Sequence, residues 1–177
     1  MDHRHHFDGQ AAEWDKEPKK IERAQRTAQL IVDALEPTGV ERVFEFGAGT
    51  GLVSQFFAPH VGSLTLADNS QGMREVIAQK IESEVLEGAQ LSDSDLAQGE
   101  LPNDNYDMVV ASLVLHHGSD VPALLASFAS ILAPGGVACI IEWVTPADSS
   151  TLILKTMTGM TGLIEKHSKS PNGCWIR

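Results

Sequence analysis

The run Val43-Phe44-Glu45-Phe46-Gly47-Ala48-Gly49-Thr50-Gly51 constrains this chain more than any other stretch. Its mostly apolar start reads as a buried strand, and its three glycines at alternate positions read as the loop that the strand enters. Glycine is required there because the backbone must turn sharply and pass closer to a bound molecule than a Cβ would allow. Such a strand and loop form the front of an α/β unit that cradles a nucleotide. The spacing is G-x-G-x-G, not the G-x-G-x-x-G of dinucleotide folds, and an acid precedes the first glycine by two positions. Both features argue against NAD.

A second strand, Ser63-Leu64-Thr65-Leu66-Ala67, is closed by Asp68-Asn69-Ser70. An acid at that strand end can accept both hydroxyls of a ribose, and open α/β sheets bind ligands outside the carboxyl ends of their strands. Two further motifs follow in order: Leu101-Pro102-Asn103-Asp104-Asn105-Tyr106-Asp107 and Leu132-Ala133-Pro134-Gly135-Gly136. With Glu45 to Gly51 and Asp68-Asn69-Ser70-Gln71-Gly72-Met73, the ordered set resembles the class I S-adenosylmethionine-dependent methyltransferases, over about Phe7 to Trp143. The resemblance implies a Rossmann-like α/β fold, a mostly parallel sheet flanked by helices. It divides the chain into an N-terminal arm and helix (1–36), a cofactor-binding core (37–145) and a short divergent tail (146–177).

With 24 acidic against 13 basic residues the formal charge is -11, which repels phosphate backbones and anionic membrane surfaces. Nucleic acid and membrane are therefore not expected partners; a small molecule is. Two cysteines, Cys139 in an apolar strand and Cys174 in the tail, show no zinc spacing, and no metal site is expected. No apolar run approaches the roughly 20 residues of a membrane span, and no signal-peptide pattern is present. A soluble protein of the reducing cytoplasm is the expectation. His3, His5 and His6 are read as solvated residues of a frayed terminus.

The segment Phe7-Asp8-Gly9-Gln10-Ala11-Ala12-Glu13-Trp14-Asp15 is similar to the arm that precedes the core in many small methyltransferases and often folds over the cofactor. The other reading is a simple aromatic staple, with Phe7 and Trp14 seven residues apart. Ile21, Ala24, Ala28, Ile31 and Leu35 then predict one face of a helix beginning at Pro18 and stopping near Pro37. Short helices are expected over Leu52 to Phe57, Gln71 to Ile81 and Val121 to Leu132. Further strands are expected over Leu86 to Leu91, Tyr106 to Ser112 and Val137 to Trp143.

By resemblance, Glu45, Gly47, Gly49 and Gly51 hold the methionine end of S-adenosylmethionine, Asp68 the ribose, and Asp95 with Leu96 the adenine, with Ala48, Asn69 and Ser112 also at the cofactor. Asp93 rivals Asp95, and Met73 is either the side chain packed on adenine or a core methionine. His116 and His117 follow the fourth core strand, at the edge where the transferable methyl would lie. An imidazole there can take a proton from an attacking hydroxyl or amine, or it can merely order the loop, with Asp120 capping the next helix.

A complete sheet of this family has seven strands, the last two an antiparallel hairpin preceded by a helix. Only Val144 to Arg177 remain for them, so the last strands are expected to be missing and the chain to be truncated. An exposed sheet edge would then favour self-association. Leu152, Ile153, Leu154, Met157, Met160 and Leu163 are expected to form an amphipathic helix over part of that edge, with a hairpin as the alternative. The functional expectation is methyl transfer to an O or N nucleophile of a small molecule, leaving S-adenosylhomocysteine. The alternatives are a catalytically incompetent cofactor-binding module and, disfavoured by the glycine spacing, an NAD-dependent oxidoreductase.

Overall fold

The computed structural model describes residues 7–118, 120–145, 148–158, 163–169 and 175–176, with backbone course alone beyond Glu142. His3, His5, His6, Met160 and Cys174 lie outside the described residues. A short helix α1 (Ala11–Trp14) leads into α2 (Pro18–Leu35). Proline opens α2, where its missing N–H costs nothing, and Ala24, Thr27, Ala28, Leu30 and Ile31 form its buried face. Glu36, forced out of helical geometry before Pro37, ends it in the left-handed region with φ 44°.

The sheet begins with β1 (Arg42–Phe46), β2 (Ser63–Ala67), β3 (Gln90–Ser92), β4 (Tyr106–Ser112) and β5 (Leu132–Thr145), paired in parallel in the order β3-β2-β1-β4-β5. Strand order reverses between β1 and β4, so the crevice for a ligand opens above their carboxyl ends. Helices α3 (Ser54–Phe57), α4 (Gln71–Glu82) and α5 (Val121–Ile131) complete the layers.

Strand periodicity splits the core in two. Val43, Leu66, Val110 and Ile141 pack with Ile31 of α2, Phe57 of α3 and Ile77 of α4. Phe44, Val109, Ala111 and Ile140 pack on the other face with Leu124, Phe128 and Ile131 of α5. Cys139 belongs to the first face, and burial pushes its thiol up to about 12, which makes it inert.

Three boundaries differ from expectation. β3 forms over Gln90–Ser92, while Leu86, expected within it, is a fully buried turn residue. β5 starts at Leu132 because Leu132 bridges to Tyr106. The register then shifts before Met108 meets Val137, and the Pro134-Gly135-Gly136 turn sits in that irregularity.

The third difference is the tail. β6 (Asp148–Thr158), β7 (Leu163–Lys169) and β8 (Trp175–Ile176) extend the sheet by antiparallel pairing, so the amphipathic helix expected over Leu152 to Leu163 does not form. The far edge of β5 offers a row of unpaired N–H and C=O groups. Thr151, Ile153, Thr156 and Thr158 favour extended backbone. The link from Thr145 to Asp148 is too short for a crossover, so the chain returns antiparallel. The edge of β5 that was expected to be exposed is therefore paired along β6.

Phe128 is fully buried and meets Phe46 edge-on at 5.6 Å between ring centroids. Replacing it by alanine removes one of that face's largest side chains, and Phe128→Ala is expected to lower the unfolding free energy by about 3–5 kcal/mol in urea titrations.

Candidate functional site

Gly47 and Gly49 adopt left-handed backbone, with φ 69° and 59°. A Cβ on Gly47 would stand 2.3 Å from Val114 of the loop after β4, so only glycine lets the two loops touch. A Cβ on Gly49 would meet nothing within 4 Å, as expected where a loop faces open space. The loop is tied to β2 by Gly47 and Ala48 N–H groups donating to the Ala67 carbonyl at 2.8 and 3.0 Å.

Asp68 makes the second tie. One carboxylate oxygen accepts the Gly49 N–H at 2.8 Å and the other accepts the Ser70 N–H at 2.9 Å. Burial raises its pKa, and these two hydrogen bonds pull the other way. Its side chain opens into a cavity of about 540 Å³ that runs from the glycine loop to the loop after β4.

Gly47, Ala48, Gly49, Asp68, Asn69, Met73, Asp95, Ser112, His116 and His117 all line that cavity. Met73 lines it while only 2% exposed, so its core and site readings coincide. Asp95 lines it while accepting the Ala97 N–H at 3.0 Å. Its rival Asp93 turns outward, its side chain 94% exposed and paired with Arg74. Three predicted residues do not line the cavity. Leu96 packs in the apolar cluster against α5, because its neighbours face the core. Gly51 is buried, and a Cβ there would meet Leu86 at 2.9 Å.

Glu45 is the third. Alternation along β1 turns it to the same side as Val43, beneath the loop, where it accepts a hydrogen bond from the Ser54 hydroxyl of α3. It supports the loop from behind and does not reach the cavity.

Three features were missed in the sequence. Glu142, near the end of the apolar β5, accepts the Leu115 N–H at 2.7 Å, and its other oxygen lies 3.0 Å from His116 Nδ1. A lone carboxylate ending a buried run opposite a His-His loop was the available signal. Lys20 and Arg23 line the cavity from α2, and so does Thr27, whose Oγ1 is buried and has no hydrogen-bond partner among the described residues. The arm is also bound to the core. Asp8 accepts the Ser70 hydroxyl at 2.6 Å and the Gly72 N–H at 3.0 Å. Phe7 and Trp14 line the cavity, their rings 5.9 Å apart, and Phe7 meets His117 at 5.5 Å.

This arrangement is a crevice at a sheet switch point, lined in part by the arm's rings and flanked by an imidazole–carboxylate pair. The methyltransferase domain family matches residues 44–138, more than half of the chain, and the chain belongs to that family. A similar protein is an uncharacterized methyltransferase of Mycobacterium bovis, 29% identical over 126 residues, or 66% of this chain and 58% of the relative. Another is the hybrid PKS-NRPS synthetase poxE of Penicillium oxalicum, 34% identical over 119 residues, covering 63% of this chain and 3% of the synthetase. The fold is also that of DhpI in its complex with SAH, with a TM-score of 0.66 at 21% identity over 92% of this chain and 76% of that one. The chain thus matches little more than half the length of the mycobacterial relative. Among the described residues no helix is long and apolar enough to cross a membrane.

Burial pushes the Glu45 carboxyl from 4.5 up to about 7, against the Ser54 hydrogen bond and with a further push from the Asp68 charge. The folded value exceeds the unfolded one, so this group's stability contribution is complete below about pH 4.5 and is lost as pH rises through about 7. Glu45→Gln keeps an acceptor for Ser54 and removes the titration. It is expected to be more stable than the parent, by on the order of a few kcal/mol at about pH 8 and by little near pH 5, in urea titrations at both.

Proposed function

We propose that this chain binds S-adenosylmethionine in the cavity and transfers a methyl group to an O or N nucleophile of a small-molecule acceptor. The cofactor supplies a sulfonium methyl group that a nucleophile can displace. The residues present fit it. Asp68, with Asn69 beside it, offers a carboxylate at the end of β2 for a ribose diol. The Gly47–Gly49 backbone leaves open space where a side chain would intrude, and the orphaned Thr27 hydroxyl with Arg23 offers donors for the amino-acid end. Met73 and Asp95 give the adenine an apolar wall and an acceptor.

The acceptor end is formed by Phe7, Trp14, Val114, His116 and His117. A carboxylate at Nδ1 of His116 holds the proton on that nitrogen and leaves Nε2 as the lone pair able to take a proton from the acceptor. Glu142 also anchors the loop through Leu115, and so it orients the imidazole. Alignment of the reacting atoms carries the displacement itself, and the arm's aromatic rings exclude water from it.

The observation that carries this reading is the convergence of the glycine loop, Asp68 and the His116–Glu142 pair on one cavity. Calorimetric titration with S-adenosylhomocysteine is expected to show saturable binding that Asp68→Ala weakens by about tenfold or more, from loss of charge-assisted hydrogen bonds. Incubation with methyl-labelled S-adenosylmethionine and a small-molecule extract is expected to label an acceptor. His116→Ala should slow labelling by about a hundredfold or more while leaving S-adenosylhomocysteine affinity in place. A folded chain that binds neither cofactor form would overturn the reading.

A further inference from the structure

The arm does more than line the cavity, because two of its acids, Asp8 and Asp15, grip the two loops that Asp68 joins. Asp15, just after α1, accepts the Thr50 hydroxyl on one oxygen at 2.6 Å, and its other oxygen lies 2.6 Å from Lys80 Nζ of α4. Lys80 also donates to Gln55 of α3 at 3.1 Å. Asp8 engages Ser70 and Gly72 at the start of α4. Thr50 adjoins Gly49, and both Gly49 N–H and Ser70 N–H end on the Asp68 carboxylate. Asp15 and Asp8 are therefore one bond network with Asp68, entered from opposite sides of the same carboxylate.

The rings beside these two acids face the acceptor end. Trp14 precedes Asp15 in the chain, Phe7 precedes Asp8, and Phe7 touches His117 next to His116. Lys20 Nζ lies 3.6 Å from the Trp14 ring centroid and braces that ring from α2. Lys80 and Asp15 have side chains only 14% and 27% exposed, so their pairing is shielded from salt and breaking it leaves a charge poorly solvated.

Building on the cofactor site proposed above, we propose that Asp15 and Asp8 are positioning residues, a two-point clasp that couples engagement of Asp68 by a nucleoside ribose to closure of the Phe7–Trp14 arm over the acceptor end. The cofactor then binds before the acceptor, because the acceptor wall is complete only with the arm docked. Neither acid touches the reacting atoms. Each acts through the loop it grips, Asp15 through Thr50 and Asp8 through Ser70.

The test uses the full chain, S-adenosylhomocysteine as probe, and stopped-flow measurement of its dissociation. Asp15→Asn keeps an acceptor for Thr50 and loses the Lys80 pairing; Lys80→Met removes the same pairing from the other side. Each is expected to speed dissociation by about tenfold, and the double variant to add little beyond either one. Asp8→Asn, at the second grip, is expected to speed release as well. In a Trp14→Phe comparison, the tryptophan signal change on binding should be assigned to Trp14 and should shrink in the clasp variants. A merely structural role would lower the melting temperature of the free variants without moving the dissociation rate. If the parent binds S-adenosylhomocysteine and all three variants release it at the parent rate, the clasp is wrong and the cofactor site stands. If the parent does not bind it, the cofactor site falls and the clasp with it.

Discussion

The Asp68 carboxylate holds together what the rest of the site is built on. Its two oxygens accept N–H groups from Gly49 and Ser70, which belong to the loops after two neighbouring parallel strands. Parallel strands end side by side with their terminal backbone donors unpaired, and a buried carboxylate between them satisfies one from each. Burial works against that charge and raises the Asp68 pKa, and the hydrogen bonds from the two loops work for the charge only while those loops stay in place. Glycine-loop geometry, the start of α4 and the arm's grip all meet at this one group.

A second acid sets the limit on how far that charge can be shared. Glu45 is fully buried behind the loop, close enough for its charge and that of Asp68 to repel, and burial holds it largely uncharged up to about neutral pH. The two carboxylates thus divide roles by environment. One has backbone donors and opens to the cavity; the other has a single hydroxyl donor and serves packing. Arg74 and backbone N–H groups favour the Asp68 charge and Lys80 pairs with Asp15 of the arm, which is how a strongly acidic chain concentrates acids at one site.

Much of this was legible from the residues in order. The glycine run, the strand ending at Asp68, the Tyr106–Ser112 strand and α2 all rest on local patterns whose physical cause is local: left-handed backbone, near-continuous apolar runs that bury a strand on both faces, and a proline at each boundary. Asp95 and Asp93 could not be separated in the sequence, because two acids two residues apart differ only in which way the loop turns. Glu142, Thr27 and the Asp15–Lys80 pair were invisible for a related reason. Their partners lie 26 residues away for Glu142 and 65 for Asp15, whereas the Thr27 hydroxyl matters because nothing reaches it.

The tail shows where local pattern misleads. Leu152, Ile153 and Leu154 suit a helix or a strand equally on hydrophobicity, and the vacant edge of β5 decides for the strand because it supplies hydrogen bonds that a helix would leave unmade. By itself the sequence determined the α/β class, the glycine loop, the acid at the end of β2 and the family those motifs define, since each follows from backbone sterics and side-chain chemistry within a few residues. Only the tertiary structure decided that Glu45 faces away from the cavity and that His116 has Glu142 for a partner. It alone showed that the arm's acids close on the loops Asp68 joins, because those facts depend on which distant surfaces the packed sheet brings within hydrogen-bond reach.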